Sequence, residues 1–195
     1  MNKGEVTRQR IVAMAAPLFN KRGFAGCSMQ DIMEATGLKK GGLYRHFGSK
    51  EELAAEAFRY SLSQAVKIRT PSVDLSLNAV ERLRAVIEQF IEKPSAVPGG
   101  CPILNTAIDA DDGNPVLRDL AREGLKRWRA RISQIVEEGI SSKEIRKDAS
   151  PRAIANTIIA TLEGALMMSR LEGSKSPLND ARASLEAMVE QIAVC

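Results

Sequence analysis

The stretch that decides the fold is GLKKGGLYRHFGSKEEL, residues 37–53. Its pattern is helical, yet it carries two adjacent glycines, Gly41 and Gly42, and the only histidine of the chain, His46. A glycine inside a helix costs about 1 kcal/mol relative to alanine. A helix that accepts both glycines therefore indicates that something approaches its backbone closely.

Two helices are predicted before this stretch. In residues 7–22 apolar side chains recur every three or four positions, and a glycine follows as a stop signal. Ser28 can then cap a short helix together with Asp31, and Gly37 ends that helix. A short helix, a tight turn and a second short helix over residues 40–47 form a helix-turn-helix.

The second helix of a helix-turn-helix enters the major groove of DNA by its N-terminal residues. In this chain the residues that a base edge would meet are Lys39, Lys40, Gly41 and Gly42. A helix start without Cβ atoms would let the duplex come near. The alternative is that the two glycines only loosen a turn.

Polar residues follow one turn further along the same helix. Tyr44 offers a hydroxyl and His46 a ring N–H, both suited to a phosphate oxygen, with Arg45 between them. Lys50 adds positive charge at the start of the next helix, whose free amides attract the same anion. A lone histidine is usually structural, which is the alternative for His46.

The net charge supports a polyanion partner for this part of the chain. Residues 1–50 hold nine Lys and Arg against three Asp and Glu, a net charge of +6, whereas the rest of the chain has a net charge of −2. A basic segment attached to a nearly neutral body indicates a nucleic-acid partner for the first and a different partner for the second.

The remainder of the chain is also predicted to be helical, because strand signals are almost absent. Leu43 and Phe47 are assigned to the core, and Ser49 with Glu52 opens a fourth helix, which ends at the Thr70–Pro71 break. Its inner face would use Leu53, Ala57 and Tyr60 or Ser61. Further helices are predicted over residues 76–92 and after the loop 93–102, and three more start near residues 115, 151 and 177, each at an Asn–Pro or Ser–Pro junction.

The last two predicted helices carry more apolar surface than one small bundle can bury. The helix over residues 151–171 is apolar nearly all round, and the final helix repeats apolar residues at heptad-like spacing. We therefore expect a homodimer in which these two helices pack with their symmetry mates as a four-helix arrangement.

A family resemblance rests on these residues. The run GLKKGGLYRHFGSKEEL, preceded by TRQRIVAMAAPLFNKRGFAGCSMQDIMEATG, resembles the N-terminal domain of TetR/AcrR transcriptional regulators over residues 7–53. The resemblance implies an all-α homodimer of about nine helices, with a C-terminal bundle that binds a small effector and thereby releases operator DNA. Family members typically carry threonine or serine where Gly42 stands, so this protein has one DNA-facing side chain fewer.

The resemblance implies a division of roles along the chain. Residues 1–48 are predicted to form a three-helix DNA-binding domain, and residues 49–195 to bind the effector and dimerise, with the fourth helix, from Ser49, linking the two. The predicted DNA-binding residues are Ser28, Lys39, Lys40, Gly41, Gly42, Tyr44, Arg45, His46 and Lys50.

Candidates for an effector pocket come from apolar positions of the C-terminal part, where the pattern GCPILNTAIDADDGNPVLRDLAREGLKRWRARI resembles one subgroup of these regulators. Plain core packing is the alternative for each. Trp128 combines a large apolar ring with one N–H group, and such a residue often lines a site for an apolar or aromatic ligand. Asn105 is predicted either to hydrogen-bond such a ligand or to face solvent. The candidates are Phe90, Cys101, Leu104, Asn105, Ile108, Leu125, Trp128, Ile132, Leu162 and Met167.

No motif points to a metal or a cofactor, and none is expected. The three cysteines are unpaired in spacing, which favours a reducing cytoplasm, and a redox-sensing Cys101 is the less favoured alternative to an inert thiol. No signal peptide or membrane span is predicted. The acidic run at 109–112 is interpreted as a solvated helix end.

Three functional hypotheses follow. The leading one is a repressor that a small molecule releases from double-stranded operator DNA. The second is an architectural DNA-binding dimer without an effector. The third, a small helical enzyme, is disfavoured because the chain has one histidine, in the basic tip, and lacks a carboxylate pair or Cys/His dyad at catalytic spacing.

Overall fold

The computed structural model describes residues 2–69, 77–93, 95–110 and 113–194. Within these ranges the secondary structure is nine α-helices and one isolated bridge pair, which confirms the predicted all-α class. The Thr70–Pro71 break, residue 76, Asp111, Asp112 and Cys195 lie outside the described residues. The helices are α1 (Lys3–Arg22), α2 (Met29–Thr36), α3 (Lys40–Tyr44), α4 (Lys50–Arg69), α5 (Ala79–Glu92), α6 (Pro102–Ala110), α7 (Pro115–Ser141), α8 (Pro151–Glu172) and α9 (Ser176–Ile192).

The N-terminal helices begin and end where local chemistry directs. Asn2 accepts a hydrogen bond from the Glu5 N–H at 2.9 Å, so α1 begins at Lys3, earlier than predicted. Gly23 and Gly37 follow α1 and α2 with φ angles of 74° and 69°, which side chains with a Cβ rarely adopt. None of the helices within the described ranges is both long and apolar enough to cross a bilayer.

Two of the three proline junctions cap their helices as predicted. Asn114 and Ser150 accept hydrogen bonds from the backbone N–H three residues on, at 2.9 and 3.4 Å. The third prediction is wrong in its detail, because Ser176 is already the first residue of α9. The Ser176 N–H donates to the Ser174 hydroxyl at 3.1 Å, so the side chain that caps this end of the helix is that of Ser174 and not that of Ser176.

Packing divides the chain into two compact units. Unit 1 comprises Met1–Val66 with Ser95–Gly124, and unit 2 comprises Lys67–Pro94 with Leu125–Cys195. The boundaries fall within α4 and α7, and the buried residues of α4, Leu53 and Ala57 among them, belong to unit 1. The functional division after residue 48 stays a prediction.

Unit 2 is built on α5, α8 and α9, which pack against one another. Leu83, Ile87 and Phe90 from α5 belong to the same buried cluster as α8. The apolar residues predicted for α9 are buried at Leu178, Ala181 and Leu185 and half-buried at Met188 and Ile192. Exposed ion pairs such as Arg182 with Glu88, at 2.9 Å, join the rims of α9 and α5. Such pairs contribute little energy, so the apolar interior provides most of the stability.

The helix α8 has a second apolar side that this unit does not cover. Met167, Met168 and Leu171 are 49 %, 46 % and 80 % exposed. They lie at three- and four-residue spacing and therefore share one face. The predicted excess of apolar surface is thus present on α8 of the single chain.

Candidate DNA-binding site

The turn between α2 and α3 is set by hydrogen bonds at the start of α2 and by a glycine at its end. The Ser28 hydroxyl accepts from the Asp31 N–H at 3.1 Å, and the Asp31 carboxylate accepts from the Ser28 N–H at 2.7 Å. This is the capping box predicted from sequence. Because Gly37 takes the left-handed conformation, the chain reverses without strain and α3 begins at Lys40.

The Ser28 hydroxyl is engaged within the protein. It also donates to the Asp31 carboxylate at 2.5 Å, so its hydrogen is not directed outward. Hydrogen bonds from the Ser28 hydroxyl and the Ser28 N–H lower the pKa of Asp31 to about 2. Ser28 therefore serves as a helix cap in this structure, and its predicted DNA contact stays a prediction.

A fully buried apolar cluster fixes how α3 is rotated. Leu43 and Phe47 are 0 % exposed and pack with Ile11 of α1, Ile32 of α2 and Leu53 of α4. The helix itself is short and ends at Tyr44, although the Phe47 N–H still donates to the Leu43 carbonyl at 3.1 Å.

Burial of this side turns the opposite side of α3 toward solvent. Among the predicted DNA-binding residues, half-buried positions are Gly42, His46 and Lys50, and the exposed positions are Ser28, Lys39, Lys40, Gly41, Tyr44 and Arg45. Tyr44 retains 43 % of its exposure, with the Lys40 ammonium 5.9 Å from its ring centroid. The basic and hydrogen-bonding groups that the sequence singled out are thus accessible from outside.

Steric crowding within this chain does not explain why Gly41 and Gly42 are glycines. A Cβ built at Gly41 would meet no atom within 4 Å, and one at Gly42 would lie in ordinary contact with Leu38 at 3.7 Å. Neither glycine has a left-handed backbone. The absence of side chains here is therefore not required by the packing of the protein itself, which favours an external approach over a loosened turn.

Arg8 of α1 holds the C-terminal end of α3 against α4. Its guanidinium donates to the His46 carbonyl, to Glu52 at 2.8 Å and to Glu56. The guanidinium carbon also lies 4.1 Å from the centroid of the Phe47 ring, a cation–π contact. One side chain thus joins three helices around the recognition element.

The hydrogen bonds of this arginine change the acidity of its partners. The Arg8 guanidinium, helped by the Gly48 N–H, holds the pKa of Glu52 below its usual range. In turn Glu56, followed by Glu52, raises the pKa of Arg8. Arg8 is not among the site residues predicted from the sequence, although its position one turn before Ile11 and Val12 places it on the core-facing side of α1.

The predicted effector candidates in unit 2 are mostly core residues. Phe90 and Trp128 stack with ring centroids 5.6 Å apart at an interplanar angle of 12°, and the Arg69 guanidinium carbon lies 4.0 Å from the Phe90 centroid. Ile132 and Leu162 are fully buried with Phe90, and Leu125 packs against them. Met167 lies on the exposed side of α8.

The candidates in unit 1 are divided between interior and surface. Cys101 is buried, Leu104 is half-buried and Ile108 is 71 % exposed. Asn105 is half-buried, and its amide group is hydrogen-bonded within the protein. Its Nδ2 donates to the Asn20 carbonyl and the Gly99 carbonyl, both at 2.9 Å, so it joins α6 to the end of α1.

A small cavity of about 30 Å³ lies in unit 1, enough for a water-sized occupant. Of the ten effector candidates, Asn105 alone lines it, alongside Phe19, Phe24 and Phe58. The structure therefore does not gather the predicted effector residues around this cavity. Their role in binding stays a prediction.

Within the described ranges, the thiols and acidic groups form no cluster suited to a metal ion, and Cys27 is a buried thiol. Burial raises the pKa of the Cys27 thiol, which keeps it protonated near neutral pH. Over those ranges, no three His, Cys, Asp or Glu side chains form a group that could hold a metal ion. Asp109 is exposed at the end of α6, as the interpretation of a solvated helix end expects, and its carboxylate in addition accepts a hydrogen bond from the Phe24 N–H at 2.5 Å.

Two segments of the chain each match a known protein family. Residues 11–57 match the family described as bacterial regulatory proteins, tetR family. Residues 79–185 match the family described as tetracyclin repressor-like, C-terminal domain. The second match alone spans more than half of the chain.

Individual proteins resemble the chain over nearly its whole length. A TetR transcriptional regulator from Chloroflexus aurantiacus J-10-FL has 43 % sequence identity and a TM-score of 0.93, over 99 % of this chain and 98 % of that one. A TetR-family regulator from Cytophaga hutchinsonii has 36 % identity and a TM-score of 0.92, over 100 % and 98 %. The HTH-type transcriptional repressor DhaR of Mycobacterium sp. (strain GP1) is 28 % identical, over 88 % of this chain and 86 % of that protein.

Replacement of Arg8 by methionine tests whether this residue stabilises the recognition element. We expect Arg8→Met to lower the free energy of unfolding by about 2 kcal/mol, because the His46 carbonyl and the carboxylates of Glu52 and Glu56 lose the donor that they share. The matched control is Arg10→Met, since Arg10 makes one long hydrogen bond, to the Thr36 carbonyl at 3.4 Å. Urea unfolding at one fixed protein concentration measures both.

Acid should reduce this difference between wild type and Arg8→Met. The folded pKa of Glu52 is depressed, so the stabilisation is present above the unfolded carboxyl pKa, about 4.3, and disappears as the pH falls through the folded pKa. A destabilisation equal to that of Arg10→Met, or one that grows in acid, would contradict the assignment.

Proposed function

The chain belongs to the tetR family of bacterial regulatory proteins, and we propose that within it this protein is a repressor released from its operator by a small molecule. As a member of this family it is a DNA-binding transcriptional regulator and not an enzyme, so the enzyme alternative is set aside. The main observation behind the proposal is the orientation of α3 and its flanking residues, in which Leu43 and Phe47 are fully buried while Lys39, Lys40 and Gly41 are exposed.

The proposed contacts with DNA follow from that orientation. Lys39 and Lys40 lie at the N-terminal end of α3, where a recognition helix meets base edges. Tyr44 and Lys50 supply a hydroxyl and a charge suited to phosphate oxygens, which fix the register of a protein on the duplex. In a two-fold dimer the two copies of α3 would read successive major grooves, about 34 to 36 Å apart.

The dimer is proposed to form through α8 and α9. On α8, Met167, Met168 and Leu171 form an exposed apolar stripe that a single chain leaves in water. Exposed apolar residues are normal singly, but a contiguous stripe indicates an interaction surface. A two-fold axis would place each stripe against its own copy.

Repression and release are inferred from the relatives and from unit 2. DhaR and the Mycobacterium tuberculosis protein KstR2, 27 % identical over 79 % of this chain, are both named transcriptional repressors. Trp128 is half-buried and stacks on the buried Phe90, and an aromatic ring that is only partly covered favours an apolar or aromatic effector. An effector that contacts these rings would favour one packing of α5 against α7, and operator affinity would fall by its differential affinity for the two states.

DNA binding is tested directly by selecting duplexes from a random-sequence pool with the full-length protein and measuring affinity by fluorescence anisotropy. Lys39→Ala and Lys40→Ala should each weaken binding to the selected duplex by about tenfold or more, as expected when a base contact is removed. Lys67→Ala, an exposed lysine near the end of α4, is the charge-matched control. Equal losses in all three variants, or a selection without a preferred sequence, would contradict specific readout by α3.

A substitution at Gly41, in the first turn of α3, distinguishes an effect on stability from an effect on DNA binding. Gly41→Ala should raise stability by about 0.5 kcal/mol, because alanine is the better helix former and a Cβ here meets no neighbour. The same change should weaken DNA binding by about tenfold if the duplex contacts this backbone. Gly113→Ala, also without a neighbour within 4 Å, should leave DNA affinity unchanged. Wild-type affinity in Gly41→Ala would favour the loosened-turn alternative.

The dimer surface is tested by Leu171→Glu. A symmetric interface buries this side chain twice, so the dissociation constant should rise by about a hundredfold or more. Sedimentation velocity over a range of concentrations measures it. Ile108→Glu, which alters an exposed apolar residue of α6 in the same way, should leave the oligomeric state unchanged. An unaltered dimer in Leu171→Glu would refute the α8 interface.

A further inference from the structure

Asp109, near the end of α6, and Asn114, just before α7, each contact a segment close to Lys50. We propose that Asp109 and Asn114 are positioning residues for Lys50, which hold its ammonium group where it can meet a phosphate of the DNA. This inference rests on the proposed function, in which Lys50 contacts DNA. It assigns a positioning role to two residues that the family matches do not specify.

The first link joins α6 to the turn after α1. The Asp109 carboxylate accepts from the Phe24 N–H at 2.5 Å. Gly23 has a φ of 74°, and a Cβ at this position would collide with the same carboxylate. The turn therefore lies directly on Asp109, and a glycine is needed for that close approach.

The second link joins this turn to Lys50. The Lys50 ammonium lies 4.2 Å from the centroid of the Phe24 ring, which is the geometry of a cation–π contact. The Phe24 ring in turn stacks on Phe19 of α1, with centroids 6.4 Å apart at 16°. The position of the ring, and with it the preferred position of the ammonium, thus depends on where Asp109 holds the Phe24 backbone.

The third link joins the start of α7 to the start of α4. The Asn114 side chain donates from Nδ2 to Glu51 at 2.9 Å, while its Oδ1 accepts from the Leu117 N–H at 2.9 Å. Asn114 is 6 % exposed, so both interactions are shielded from solvent. Because Glu51 is the neighbour of Lys50, one side chain caps α7 and fixes the first turn of α4.

Lys50 is therefore supported in two ways. Asp109 holds the segment that carries the Phe24 ring, and Asn114 holds Glu51, the neighbour of Lys50. A lysine ammonium on a flexible stem has many alternative positions in water, and fixing it reduces the entropy cost when it meets a phosphate. Loss of either support would leave the charge in place but poorly oriented. The expected signature is a change in the phosphate interaction rather than in fold.

The test uses the full-length protein and the duplex that it selects from a random-sequence pool, with affinity measured by anisotropy across a salt series. Lys50→Ala should flatten the slope of log affinity against log salt by about 0.9 for each phosphate that the variant no longer neutralises. Asp109→Ala should weaken binding at low salt by about threefold or more and shift the slope in the same direction. The variant that combines Asp109→Ala with Lys50→Ala should bind no more weakly than Lys50→Ala alone, because Asp109 is proposed to act only through Lys50.

Two further variants separate positioning from charge and from stability. Asp109→Asn removes the same negative charge as Asp109→Ala but retains an oxygen that can accept from the Phe24 N–H, so it should bind nearly as wild type does. Phe24→Leu keeps the Asp109 hydrogen bond and removes the ring, so it should change the slope as Asp109→Ala does, and by less than Lys50→Ala, which loses the charge itself. Circular dichroism melts identify a temperature at which every variant is folded, and all affinities are compared there.

The outcomes distinguish this inference from the proposed function. Additive losses in Asp109→Ala and Lys50→Ala, or an unchanged salt slope in Asp109→Ala, would overturn the positioning role and leave DNA binding intact. An unchanged slope in Lys50→Ala would overturn both the positioning role and the phosphate contact. Failure of the wild-type protein to select any duplex would overturn the proposed function itself.

Discussion

The arrangement of the DNA-binding surface depends on the burial of Leu43 and Phe47. A helix as short as α3, Lys40–Tyr44, gains too few hydrogen bonds to offset its nucleation cost in isolation. Its conformation and rotation are therefore set by the apolar cluster beneath it, to which α1, α2 and α4 each contribute. The accessible lysines and glycines on the other side are a consequence of that burial.

Polar contacts complete what the apolar cluster begins. Arg8 connects the end of α3 to the acids of α4, and the capping box at Ser28 fixes the start of α2. Each satisfies backbone or carboxylate groups that would otherwise lose hydrogen bonds on folding. Unit 2 has a different basis, since its helices pack through a continuous apolar interior and leave one stripe of α8 uncovered.

Most departures from expectation arise from packing that no local sequence pattern shows. Asn105 and Asp109 each form hydrogen bonds with the end of α1, more than 80 residues away in sequence, and no local pattern identifies such partners. Ile108 fits an apolar helical spacing but lies on the surface, because three-residue spacing places a residue on a face without showing what covers that face. Ser176 differs for a local reason, as α9 begins one residue before its proline.

Local chemistry in the sequence was sufficient for most helix limits, for the capping box, for the core positions Leu43 and Phe47, and for the family. Those features depend on hydrogen bonds within a few residues and on helical periodicity, both of which are legible along one chain. Only the tertiary structure decided that Arg8 joins three helices, that Asp109 lies against Gly23, and that Lys50 rests over Phe24. These depend on distances between elements remote in sequence, which are fixed by how the helices pack.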